Sequence, residues 1–92
     1  MIKFVCEDSY EANKLSSIFS IQKDGSLFIT EIVKVISNEA VVKLKDGSHH
    51  SILFKDHRNA QMLKETFLEF SASRDKTIST FSMDNETYID LK

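Results

Sequence analysis

A chain of 92 residues, 41% hydrophobic and 28% charged with a net charge of −2, has room for one core and the apolar material to fill it. That balance excludes a disordered chain, and no apolar run approaches the roughly 20 residues that span a bilayer. The single cysteine excludes an internal disulfide and fits a reducing compartment.

Met1 to Glu7 is too short and charged too soon for a signal peptide, so a cytoplasmic chain is expected. Ile2, Phe4 and Cys6 alternate with Lys3 and Val5, the period of a short strand. Asp8 with Glu11 three residues on reads as a capping box. It opens a helix to about Ser17, with Ala12, Leu15, Ile18 and Phe19 on its apolar stripe. The segment from Ile18 to Lys23 reads either as the end of that helix or as a short strand before Asp24-Gly25.

Three strands follow, Leu27 to Ile36, Ala40 to Lys45 and Ser48 to Phe54, rich in β-branched and aromatic residues and separated by turn formers. A two-residue turn at Asp46-Gly47 sets Lys45 opposite Ser48, Lys43 opposite His50 and Val41 opposite Ile52. A two-residue turn at Asn38-Glu39 sets Lys34 opposite Lys43 and Ile36 opposite Val41. Lys-Asp-Gly-Ser occurs at 23–26 and again at 45–48. The flanks do not match, which favours two independent hairpin turns over a duplicated unit.

Asp56 caps a second helix, placed from His57 to Phe70 with Ala60, Leu63, Phe67 and Phe70 on one stripe. Ser71 to Asp75 reads as a loop. Lys76 to Met83 and Thr87 to Leu91 read as a hairpin around Asp84-Asn85. The order β-α-β-β-β-α-β-β predicts one α+β domain over residues 1–92, an antiparallel meander with two helices packed on one face. Its expected core is Phe4, Leu15, Val33, Val35, Val42, Leu44, Leu63, Phe67 and Phe70.

In this register one sheet face carries Val33, Val35, Val42, Leu44 and Leu53, with Glu31, His49 and Ser51 at its margins. The helices are expected to cover it. The other face carries Lys34, Lys43, Lys45 and His50 beside Ile32, Ile36, Val41, Ile52 and Phe54. Residues 32–64 hold six Lys or Arg against three acids, a balance of +3, while both flanks are acidic. A basic rim around an apolar spot suits an acidic protein surface or a nucleic-acid backbone. Lys34, Lys43, Lys45, His50, Lys55 and Arg58 are therefore the candidate binding residues, and binding is expected to weaken as salt rises.

Catalytic chemistry is less evident. Both glycines are turn residues, and there is no phosphate loop or nucleophile elbow. Cys6 precedes a helix start that would lower its pKa, but it equally suits a buried strand end. His49 and His50 point to opposite faces of one strand and His57 lies elsewhere, so no metal site is expected. Glu65 and Glu69 share a helix face with no sign of desolvation. No catalytic residue or cofactor is assigned. A small enzyme or metal protein using Cys6 or the histidines is the alternative, and a direct nucleic-acid-binding module is another.

A lone domain of fewer than 100 residues without a catalytic motif resembles small phage-encoded inhibitors of bacterial defence, anti-CRISPR proteins among them. The resemblance implies action by binding and occluding a host protein or nucleoprotein complex, without a membrane. The near-neutral charge departs from the strongly acidic members that mimic DNA.

Overall fold

Asp8 and Asp56 each begin a helix by the same device. The Asp8 carboxylate accepts the Glu11 N–H at 2.9 Å, and the Asp56 carboxylate accepts the Asn59 N–H at 2.9 Å. Each bond satisfies one of the free amides of a first helical turn. The computed structural model describes residues 1–21, 23–72 and 77–91. Its elements are β1 (Ile2–Val5), α1 (Ser9–Ile18), β2 (Ile29–Ile36), β3 (Glu39–Leu44), β4 (His49–Leu53), α2 (His57–Ala72), β5 (Ile78–Met83) and β6 (Glu86–Leu91). This is the expected order of an α+β fold. Of the expected loop at Ser71 to Asp75, Ser71 and Ala72 belong to α2, while residues 73–75, and Lys76 of the expected last hairpin, lie outside the described residues.

The strands form two antiparallel three-stranded sheets, in the orders β1-β6-β5 and β2-β3-β4. Helix α1 packs against β5 and β6, and α2 against β2 and β3. One core runs through both layers, with Phe4, Leu15, Phe19, Val42, Leu44, Ile52, Phe54, Leu63 and Ile89 buried. Of the expected core, Val35 and Phe67 are only half-buried and Val33 is 39% exposed.

Val33 is out of the core because β2 is not regular. Its pairing with β3 shifts between Ile29 and Glu31 and again between Ile32 and Lys34. Such bulges rotate the side chains that follow. Ser37-Asn38, not Asn38-Glu39, forms the two-residue turn, and Ile36 pairs with Glu39 and Lys34 with Val41. The Asp46-Gly47 turn is also longer than expected. The Leu44 N–H donates to the Ser48 carbonyl at 2.9 Å, leaving Lys45, Asp46 and Gly47 in the loop, with Gly47 at φ +89°. Three-residue hairpins commonly place a glycine there, because a side chain is strained at positive φ. That extra residue slides β4 by one, so Lys43 pairs with His49, Val42 with His50 and Ala40 with Ile52. A one-residue slip exchanges the faces of the whole strand. Ile52 and Phe54 therefore enter the core, while Leu53 turns outward.

The chain order is a βαββ unit traversed twice, and the sequence bears the repeat. Cys6, Asp8, Ala12, Leu15 and Phe19 recur as Phe54, Asp56, Ala60, Leu63 and Phe67. Asn38, Glu39, Ala40, Val42 and Leu44 recur, with the spacing one residue shorter, as Asn85, Glu86, Thr87, Ile89 and Leu91. The Lys-Asp-Gly-Ser turns do not mark this repeat; one lies inside the first unit, before β2, and the other joins the first unit to the second. In each of those turns the aspartate accepts the amide of the serine two residues on, as independent turns would.

The two units are interlocked by strand exchange. Strand β1 of the first pairs with β6 of the second, and β4 of the second pairs with β3 of the first. At the seam Cys6 bridges its own counterpart, Phe54. Every bond there occurs in duplicate. Glu7 N donates to the Leu53 carbonyl at 3.0 Å and Lys55 N to the Val5 carbonyl at 2.9 Å. Cys6 N donates to the Asn85 carbonyl at 2.7 Å and Phe54 N to the Asn38 carbonyl at 2.8 Å. The remaining strand amides are closed from the helices: Val5 N donates to Asn59 Oδ1 at 2.9 Å and Leu53 N to Glu11 Oε1 at 2.8 Å. This is the reciprocal contact pattern of a two-fold interface, built within one chain. Glu11 thus does not reach back to its own cap; its carboxylate serves the other unit.

Candidate functional site

With a helix on the inner side of each sheet, no helix or strand among the described residues packs on either outer face. Cross-strand pairing puts Glu31, Lys34, Ile36, Glu39, Val41, Lys43, His49, Ser51 and Leu53 on the outer face of β2-β3-β4. Ile36 is 58% exposed there, and the bulged Val33 adds to the apolar surface.

Of the six candidate binding residues, Lys34 and Lys43 share this face. Lys45 lies in the loop beyond it, where its ammonium binds the Asp24 carboxylate and donates to Ser26 Oγ at 2.6 Å. The Lys45 bond, seconded by those from Ser26, holds the Asp24 carboxyl well below its ordinary range. His50 is on the inner side, opposite Val42 and half-buried, with Nε2 3.0 Å from Ser48 Oγ. Lys55 and Arg58 are exposed at the start of α2, off the sheet. The register that carries His50 inward brings His49 outward beside Lys43. Glu31 pairs opposite Lys43, and Glu39 follows from the turn. The face is thus of mixed charge rather than basic, because two carboxylates share it with two ammonium groups.

The equivalent face of β1-β6-β5 carries different chemistry, and none of the six candidate binding residues lies on it. Phe81 and Tyr88 stack with ring centroids 4.8 Å apart and planes 12° from parallel, beside exposed Met83. The Tyr88 hydroxyl donates to Glu86 Oε1 at 2.9 Å, which with desolvation pushes its pKa up. Lys3 pairs with Glu86 at 3.5 Å. In the repeat, Lys34 corresponds to Phe81, Ile36 to Met83, Val41 to Tyr88 and Lys43 to Asp90. At inward positions Val42 and Leu44 recur as Ile89 and Leu91, while Val35 and Ala40 give way to Ser82 and Thr87, whose hydroxyls bond to α1. These four outward positions all differ, although Glu39 recurs as Glu86. Alternation within the last hairpin was the available clue, since Phe81 and Met83 share a parity opposite to Thr80.

Cys6 is 1% exposed. Burial pushes its thiol up to about 11, outweighing the bond with Thr87 that draws it down, so it is protonated at neutral pH. His57 Nδ1 lies 2.6 Å from the Ser37 carbonyl, apart from His49 and His50. Among the described residues no three His, Cys, Asp or Glu side chains converge as a metal site would need. Glu65 and Glu69 are both exposed. No helix among the described residues is long and apolar enough to cross a membrane. No family model, curated protein or solved structure matches the chain.

Proposed function

We propose that this protein acts by binding, as an inhibitor that occludes a host protein or nucleoprotein complex, and that it docks through the outer face of β2-β3-β4. The observation that carries this reading is the exposed Ile36 and Val33 beside Lys34, on a face against which no helix or strand packs among the described residues. Exposed apolar residues flanked by charged ones are a feature of protein interfaces, and here they lie along the outer strand β2. The difference between the equivalent outer faces supports it, since outward side chains are not fixed by core packing and are free to specialise. Glu31 and Glu39 offset Lys34 and Lys43, so a protein surface fits this face better than a bare nucleic-acid backbone. Salt is accordingly expected to weaken binding only modestly.

The test begins with capture of the partner from host lysate on the immobilised chain. The purified partner is then titrated against wild type and a Lys34→Glu/Ile36→Glu/Lys43→Glu variant whose folding is checked by circular dichroism. The variant is expected to bind at least about tenfold more weakly, a change of about 1.4 kcal/mol. A folded variant with unchanged affinity refutes the assignment.

A further inference from the structure

Among the described residues, strands β2 and β5 are the outer strands of the two sheets whose far edges are unpaired, and they hold equivalent places in the two units. They are not equally protected. Strand β2 carries two register shifts and the charged Glu31 and Lys34. Bulges and charges are the devices by which an exposed edge is kept from pairing with another chain. Strand β5 has neither. Its sequence, Ile-Ser-Thr-Phe-Ser-Met, is uncharged, and it pairs with β6 in unbroken register from Ile78↔Leu91 to Met83↔Glu86. It is also held in place from behind. Thr80 Oγ1 donates to the Ser16 carbonyl of α1 at 3.3 Å, and Ser82 Oγ donates to Asn13 Oδ1.

We propose that β5 is the docking edge for a second copy of this chain, added antiparallel across a two-fold axis. The strand's own chemistry selects that occupant. Antiparallel self-pairing centred on Phe81 sets Phe81 beside the partner's Phe81 and Ser79 beside the partner's Met83, so no like charges oppose one another. The Phe81–Tyr88 stack then continues across the junction. The 47% exposed Phe81 and 58% exposed Met83 gain cross-strand neighbours on the same face. The Lys34 face lies on the other sheet and stays open, so this inference and the proposed function stand or fall separately.

Sedimentation equilibrium tests it on three proteins: wild type, Ser79→Lys/Met83→Lys, and Val33→Lys on β2 as a control. At about 100 μM, where weak self-association is populated, wild type and Val33→Lys are expected to sediment at twice the 10.6 kDa chain mass. Ser79→Lys/Met83→Lys is expected to sediment as the monomer with an unchanged circular dichroism spectrum. Both of its substitutions are at exposed positions. A wild type that stays monomeric overturns the proposal, including one that captures an extended peptide at β5 instead. So does a dimer that survives the double lysine substitution, or one lost in Val33→Lys.

Discussion

Replacing Glu11 by alanine isolates one of the paired bonds that close the seam. Glu11 is buried, and its Oε1 accepts the Leu53 N–H at 2.8 Å and lies 3.2 Å from Lys14 Nζ. Truncation leaves the Leu53 amide without its acceptor, and bonds to charged acceptors contribute about 1.5–3 kcal/mol. The i,i+3 ion pair with half-buried Lys14 adds about 0.5 kcal/mol. A loss of about 2–3 kcal/mol is therefore expected, in a domain of this size whose total stability is about 5–14 kcal/mol. At about 4–8 °C per kcal/mol, Tm should fall by roughly 10–20 °C. Glu11→Gln keeps the acceptor. Its counterpart Asn59 does the same work for Val5 with an amide oxygen at 2.9 Å. The glutamine variant should therefore lose no more than about 1 kcal/mol. Urea unfolding followed by circular dichroism measures both, with the m-value checked for constancy. A Glu11→Ala loss below about 0.5 kcal/mol, or a Glu11→Gln loss equal to it, would refute the reasoning.

Leu44→Ala is expected to cost about 2–5 kcal/mol and Val33→Ala less than about 0.5 kcal/mol, and comparable losses in urea unfolding would mean that the β2–β3 register is wrong. Cys6 has a raised folded pKa, so its contribution is complete below its unfolded value near 9 and is lost as pH rises towards about 11. Melting curves across that range should show a smaller decline in Cys6→Ser than in wild type. The Asp24, Asp46 and Asp56 carboxyls are held low, chiefly by bonds from Lys45, Ser48 and Asn59 respectively. Their contribution is present above the unfolded value of about 3.9 and is lost as pH falls below it, so Asp24→Ala/Asp56→Ala should flatten the acid limb of the stability curve. Because the units exchange strands, fragments 1–45 and 46–92 should each be unfolded alone and regain native circular dichroism on mixing; a fragment that folds by itself would contradict the interlock.

Local chemistry was legible in the sequence because it depends on neighbours along the chain. Asp8 and Asp56 marked the helix starts, alternation marked the strands, and Phe4, Leu15, Val42, Leu44, Leu63 and Phe70 announced themselves as core. The candidate surface was only half legible. Lys34 and Lys43 share one face as expected, but Lys34 pairs with Val41 and Lys43 with Glu31, and one extra residue in the Asp46-Gly47 loop exchanged His50 for His49 and Leu53 for Ile52. A strand pattern with apolar residues at adjacent positions, as at Ile52-Leu53-Phe54, does not say which of them faces inward. The pairing partner decides that. The repeat was written in the residues too, but its consequence was not. Whether β1 pairs within its own unit or with β6 depends on hydrogen bonds between residues more than eighty positions apart. Backbone amides and carbonyls are the same in every strand, so the choice of partner falls to the tertiary packing that brings the groups together.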